Sequence, residues 1–358
     1  MRKLLIITSF ILIGSQGFTQ SRKYSNEFLN IGVGSRAFGM SNAVVASAND
    51  VTAGYWNPAG LTRMSGNLQV GLMHSEYFAG IAKYDYGAVA AQIEAKSFAA
   101  LSVVRFGVDD IPNTTELIDA NGNINYDRIK SFSAVDYAFI GSYARKQTDN
   151  LSIGGNVKVI HRKVGDFGQS WGFGLDAALQ YRLKQFSFGL MAKDITTTFN
   201  AWSYSLDQRT KDVFTQTGNE IPENSTEITT PKVILGVGYE TKISPKFSLN
   251  TEVNLDVTTD GKRNVLMQGD PFSIDPHIGA ELSYRQMVYL RGGLGNIQQS
   301  KDFNDQEVYT MQPNIGIGLK IRNLSIDYAL TDIGNASDAL YSNVFSLRLD
   351  IFRSGENK

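Results

Sequence analysis

The chain has no cysteine and only three histidines in 358 residues. Without a thiol it forms no disulfide, holds no cysteine-ligated zinc and carries no lipid on an N-terminal cysteine. His74, His161 and His277 lie far apart, and none has a metal spacing such as H-E-x-x-H. No G-x-S-x-G occurs, and runs such as Gly172-Phe173-Gly174 sit in strand pattern rather than at a phosphate-cradling strand–helix junction. These absences argue against an enzyme, and no cofactor or metal is expected. Charge of one sign is lacking too. Lys and Arg number 34 against 35 Asp and Glu, with a pI near 6.3, so there is no basic field for nucleic acid. After the first twenty residues no apolar run is long enough to cross a bilayer as a helix.

What is present begins with an export signal. Met1-Arg2-Lys3 is a basic start, and Leu4 to Ile13 is an apolar run too short to span a membrane. Gly17 and Thr19 place small residues at −3 and −1 for cleavage before Gln20. Residues 1–19 therefore read as a signal peptide. Any membrane residence of the exported chain must come from a β-barrel, the other fold that satisfies every backbone polar group in lipid.

From Asn30 to Leu61 the chain is rich in small residues and does not alternate. Gly32, Gly34 and Gly39 permit close backbone approach, and Asn57-Pro58-Ala59-Gly60 has the residues of a tight turn. Such a segment could be a domain, a linker or a plug.

After Leu61 the period becomes two. Phe247, Leu249, Thr251, Val253, Leu255 and Val257 alternate with Ser248, Asn250, Glu252, Asn254 and Asp256, and the rhythm recurs to Ile351. Glycines such as Gly236, Gly238, Gly316 and Gly318 fall on the polar phase, where a crowded interior needs small side chains. About fourteen strands of near ten residues fit, joined by tight turns that interleave with long loops. A soluble sandwich or propeller also alternates, but has no need of that turn asymmetry. The fold class expected is all-β: a fourteen-stranded antiparallel transmembrane barrel in the bacterial outer membrane, in contact with lipid. The expected division is 1–19 signal peptide, 20–66 plug, 67–352 barrel and 353–358 periplasmic tail.

The lumen phase carries charges of both signs, among them Lys158, Asp176, Glu252, Glu281, Arg291, Asp327, Arg348 and Asp350. Mixed signs point to an internal ion-pair network that anchors the plug rather than to a selective ion pore. Arg36 is the natural plug partner, since a guanidinium binds a carboxylate bidentately; Asn57, Pro58 and Gly60 complete the expected anchor. The loops hold apolar weight: Phe199, Trp202, Tyr204 and Phe214 within Thr196–Thr230, Leu266 and Phe272 within Thr258–Ser273, and Ile111 and Pro112 at the start of a third loop. These either pack on one another as an external subdomain or form a protein-binding patch.

Gly34-Ser35-Arg36-Ala37-Phe38-Gly39-Met40, Ala43, Ala46, Asp50 and Tyr55-Trp56-Asn57-Pro58-Ala59-Gly60-Leu61 resemble the N-terminal signature of the PorV/PorQ family. That family is related to the FadL-type fatty-acid channels, and the strand count matches the FadL-like architecture. Looser likeness extends through Gly107 to Pro112 and Asn200-Ala201-Trp202. Ser41 stands where such families often have Gly, a departure that would loosen a backbone constraint. The resemblance implies a plugged barrel serving type IX protein secretion and gliding motility. Its partners would be a large translocon barrel or secreted cargo, bound by the external loops. The alternative it leaves open is a FadL-like channel for hydrophobic small molecules such as fatty acids.

Overall fold

The structure, a computed structural model, describes residues 25–118, 123–301, 306–333 and 341–352. The expected signal peptide and the periplasmic tail beyond residue 352 lie outside the described residues.

Fourteen strands close into one antiparallel barrel. The first seven are β1 (Leu68–Tyr77), β2 (Ala82–Glu94), β3 (Ser97–Asn113), β4 (Lys130–Lys146), β5 (Leu151–Val164), β6 (Gly168–Leu183) and β7 (Phe186–Lys193). A short pair follows, β8 (Thr198–Tyr204) and β9 (Ser225–Thr229). The wall resumes with β10 (Lys232–Lys242), β11 (Phe247–Thr258), β12 (Ser273–Tyr284), β13 (Val288–Lys301), β14 (Glu307–Ile321), β15 (Leu324–Thr331) and β16 (Ser342–Ile351). Closure is made by β16 against β1, from Leu68 opposite Ile351 to Glu76 opposite Asn343.

The period of two turns this barrel inside out relative to a soluble protein. Glu252 is 1% exposed and its neighbour Val253 42% exposed. Outward Ile278, Leu290, Ile317 and Leu347 are likewise exposed, while Asn254, Glu281 and Arg291 are buried. Apolar side chains outside and polar ones inside suit hydrocarbon around a polar lumen, and closure leaves no unpaired edge. No helix among the described residues is long and apolar enough to cross a membrane. The architecture is that of a bacterial outer-membrane barrel.

Six tight turns, at 95–96, 147–150, 184–185, 243–246, 285–287 and 322–323, lie at the end where Leu68 meets Ile351, the periplasmic end. The opposite end carries the longer connections, except that β1 and β2 are joined by only 78–81 and β5 and β6 by only 165–167.

Two expected loops are corrected. Ile111 and Pro112 belong to β3, which stays paired with β4 as far as Asn113 opposite Lys130. Thr196–Thr230 contains β8, β9 and a helix, α3 (Gln208–Gln216), whose start is capped by the Asp207 carboxylate accepting from the Thr210 N–H at 2.7 Å. β7 pairs with Ala177–Leu183 of β6, and β8 continues along the same edge against Gly168–Phe173. Between them Asp194 and Thr197 take left-handed φ of 56° and 59°, which breaks the alternation and hides the continuity from the sequence.

The N-terminal segment from Ser25 to Met64 is irregular, with two short helices, α1 (Ser35–Gly39) and α2 (Ala53–Trp56), and a 3-10 turn at Pro58–Arg63. It touches wall strands around the whole circumference. Gln69 of β1 accepts from Val51 N–H, Glu252 of β11 from Ala46 N–H, and Ser346 of β16 from Ser35 N–H. Thr62 meets Ser152 of β5 at 2.7 Å, and Gln180 of β6 donates to Ala48 O. Inward glycines make this approach possible. A Cβ on Gly316 of β14 would stand 3.1 Å from the Cα of Gly39, so two glycines meet where a side chain on either would crowd the other's backbone.

Candidate functional site

The N-terminal segment lies between two vestibules of the lumen. The outer one has a volume of about 1010 Å³ and the inner one about 670 Å³. Beside Arg36 and Asp50 a void of about 30 Å³ remains, room for one or two waters.

Charge lines the inner vestibule, and the register orders it. Glu281 on β12 sits opposite Arg291 on β13, and the two bond at 2.6 Å. Arg36 reaches the same carboxylate at 3.1 Å, and Arg291 continues to Asp327 on β15 at 2.6 Å. The result is an alternating chain, Arg36–Glu281–Arg291–Asp327, running from segment to wall. A second chain joins Asp50 to Arg348, with Asp350 3.5 Å from Arg348 and 3.1 Å from Lys320. A third holds Lys158 between Asp176, at 2.7 Å, and Asp194.

Asp50 is buried, which by itself raises its pKa; Arg348 and the Thr52 hydroxyl more than offset this and hold it below the ordinary carboxylate value. A depressed folded-state pKa stabilises the fold fully above the unfolded value, about 3.9, and that contribution fades as pH falls through the folded one. Asp50→Asn is therefore expected to lower the thermal midpoint at pH 7. The gap from wild type should close in strong acid, and a pH-independent gap in thermal melts would contradict this.

The four residues expected to anchor the segment fall at two places. Arg36 lies at β12. Asn57 lies across the barrel, donating to Val45 O at 2.9 Å and Leu179 O at 3.1 Å, while its carbonyl accepts from Ala59 N–H at 3.2 Å. Pro58 opens the helical turn that follows, and Gly60 packs under Ala48. Ser41 differs from its expectation. Its φ is 51°, so the left-handed requirement persists although the residue is not Gly; its hydroxyl accepts from Asn314 at 2.7 Å.

The outer vestibule has an aromatic floor. Phe28, Phe38, Tyr55 and Trp56 come from the segment, and Tyr77 and Phe106 from the wall. The Tyr55 hydroxyl donates to Leu29 O at 2.5 Å and the Trp56 ring N–H to Val33 O at 2.8 Å, which fixes both rings. Over them stands Lys193, the last residue of β7, with Nζ 4.4 Å from the Tyr55 ring and 5.9 Å from that of Trp56. The other cations of this vestibule are matched: Lys232 with Asp256 at 2.6 Å, Arg162 with Asp136 at 3.0 Å, Arg263 with Asp260 at 2.6 Å, and His277 3.4 Å from Asp275. Lys193 is 8% exposed and sits directly opposite Lys232, and its ammonium makes no ion pair or hydrogen bond among the described residues. Sequence reasoning missed it. Its phase in Phe186–Lys193 points inward, but nothing in the sequence shows that the residue opposite is another lysine.

The loop aromatics do not form one patch. Trp202 is buried in the β8–β9 hairpin, with Tyr204 stacked at 5.7 Å and the Arg162 guanidinium 5.2 Å from its ring. Phe199 is exposed on the other face, Phe214 is half-buried on α3, and Leu266 and Phe272 are exposed on the separate connection 259–272. His277 faces the lumen, whereas His161 lies against outward Trp171 at 4.2 Å.

A closed fourteen-stranded barrel holding an N-terminal segment in its lumen defines the class of outer-membrane protein. No family model matches the chain, and no curated protein matches it in sequence. Solved structures resemble it over nearly their whole length. The CymD monoaromatic hydrocarbon channel is 14% identical, with 92% of this chain and 99% of that one covered at a TM-score of 0.57. The Ralstonia pickettii toluene transporter TbuX is 13% identical, covering 89% and 98% at 0.53, and a Pseudomonas aeruginosa FadL homologue 12%, covering 88% and 97% at 0.51. The fold is thus a FadL-like barrel.

Proposed function

We propose that this protein is a non-enzymatic outer-membrane channel for small amphiphilic molecules with an apolar body and an acidic head, such as aryl or alkyl carboxylates. The observation that carries the reading is Lys193: a buried ammonium without an anionic partner, opposite another cation, above two fixed aromatic rings. A carboxylate would complete its charge while the apolar body covers the aromatic floor. The FadL-like fold supports passage of hydrophobic molecules, and the N-terminal segment acts as the plug that the ligand must pass. The secretion and translocon-binding role implied by the N-terminal resemblance draws no support from the compared structures, and its docking aromatics are scattered over separate elements.

Lys193→Met keeps the stem and removes the charge. It should weaken binding of a carboxylate, followed by Trp fluorescence, by about ten- to a hundredfold, the worth of a hydrogen bond to a charged group. Binding of the neutral methyl ester should change little. Equal losses for acid and ester, or none for the acid, would refute the reading.

A further inference from the structure

We infer that the periplasmic turns form a collar that binds anionic phospholipid headgroups of the inner leaflet. This rests on the barrel's placement in the outer membrane and not on its ligand. Five of the six tight turns contain an exposed Lys or Arg, or have one within two residues, that stays clear of the inner vestibule: Lys96, Arg145, Lys246, Arg285 and Arg322. None makes an ion pair among the described residues. Two of the nearby carboxylates are engaged elsewhere, and a third faces the lumen. Asp149 pairs with Lys146 at 3.4 Å, Glu94 accepts from Ser97 at 3.2 Å, and Glu240 lines the inner vestibule. At the outer end Lys83 pairs with Asp109 and Lys163 with Asp166, each at 3.4 Å.

A second observation fixes the depth of these cations. Next to the turns, outward-facing Phe186 meets Tyr239 and Phe247 meets Tyr284, each with ring centroids 5.0 Å apart and all four exposed. The Arg285 guanidinium lies 5.4 Å from the Tyr284 ring. Exposed aromatics of this kind settle at the headgroup level of a bilayer, so cations at the adjoining turns stand among the lipid phosphates. The charges also recur around the circumference, at the β2–β3, β4–β5, β10–β11, β12–β13 and β14–β15 turns. A protein partner would need them on one side; a lipid annulus meets them all. Phosphatidylglycerol offers a phosphate with net negative charge, which a zwitterionic lipid does not.

The test is native mass spectrometry of the intact protein in detergent with equimolar phosphatidylglycerol and phosphatidylcholine. Wild type should retain phosphatidylglycerol in preference, by about fivefold for each headgroup-facing cation, with the preference falling as salt rises. Lys246→Gln/Arg285→Gln/Arg322→Gln should lose the preference, and Lys130→Gln/Lys163→Gln at the outer end should keep it. Should the triple variant fail to fold, Lys246→Gln and Arg285→Gln alone give the same readout, each with a partial loss. Equal retention of the two lipids by wild type, or equal losses from the two ends, would overturn the collar.

Discussion

Glu281→Ala should destabilise the barrel by about 3–5 kcal/mol, the cost of removing one member of a buried ion pair. Glu281 is the only acceptor shared by Arg36 and Arg291 among the described residues, and its loss leaves two guanidinium groups facing each other in a confined space. Arg291 keeps Asp327, whereas Arg36 keeps only Ser47 at 3.3 Å. The stranded charge is thus Arg36, and Arg36→Ala should recover part of the loss in the Glu281→Ala background. Denaturant unfolding in micelles measures the cycle. If Arg36→Ala alone leaves stability unchanged, Arg36 does not anchor the segment.

Gly60→Val should cost about 1–3 kcal/mol through overpacking and should loosen the segment as well as the fold. A Cβ at Gly60 would stand 2.2 Å from Ala48 O and 3.0 Å from the Gln180 amide nitrogen. Backbone cannot yield that far without moving Val45 to Ala48 away from β6, which breaks the Gln180 bond to Ala48 and the Asn57 bond to Val45. Gly292→Val supplies the control, because nothing lies within 4 Å of its Cβ position. Proteolysis of the folded barrel should then cut the segment faster in Gly60→Val than in wild type, with Gly292→Val unaffected. Equal behaviour of the two variants would contradict this close packing.

The wall was legible in the sequence because alternation is a local signal. Ser248 to Asp256 displays both faces of β11 by itself, and the polar phase identified Glu281, Arg291 and Asp327 as lumen residues. What alternation cannot supply is register. That Glu281 faces Arg291, or that Lys193 faces Lys232, depends on how two strands slide past each other, which turn lengths leave undetermined by a residue or two. The β7–β8 continuity was hidden for a different reason: Asp194 and Thr197 reverse the backbone and interrupt the period, so β8 reads as the start of a loop. Ile111 and Pro112 read as the start of a loop, yet an outer strand tip accommodates proline where its missing N–H would face water. The N-terminal segment offered composition without geometry. Its glycines signalled close approach, but the partner surface became visible only when all the strands were in place.

The central claim, an acidic amphiphile held at Lys193 above the aromatic floor, is tested most directly by crystallising the protein with a bromine-labelled carboxylic acid and locating the bromine by anomalous scattering. The expected result is a bromine among Phe28, Phe38, Tyr55 and Trp56, with the carboxylate about 3 Å from Lys193 Nζ. Bromine found only on the lipid-facing wall, or bound in the outer vestibule with its carboxylate turned away from Lys193, would contradict it.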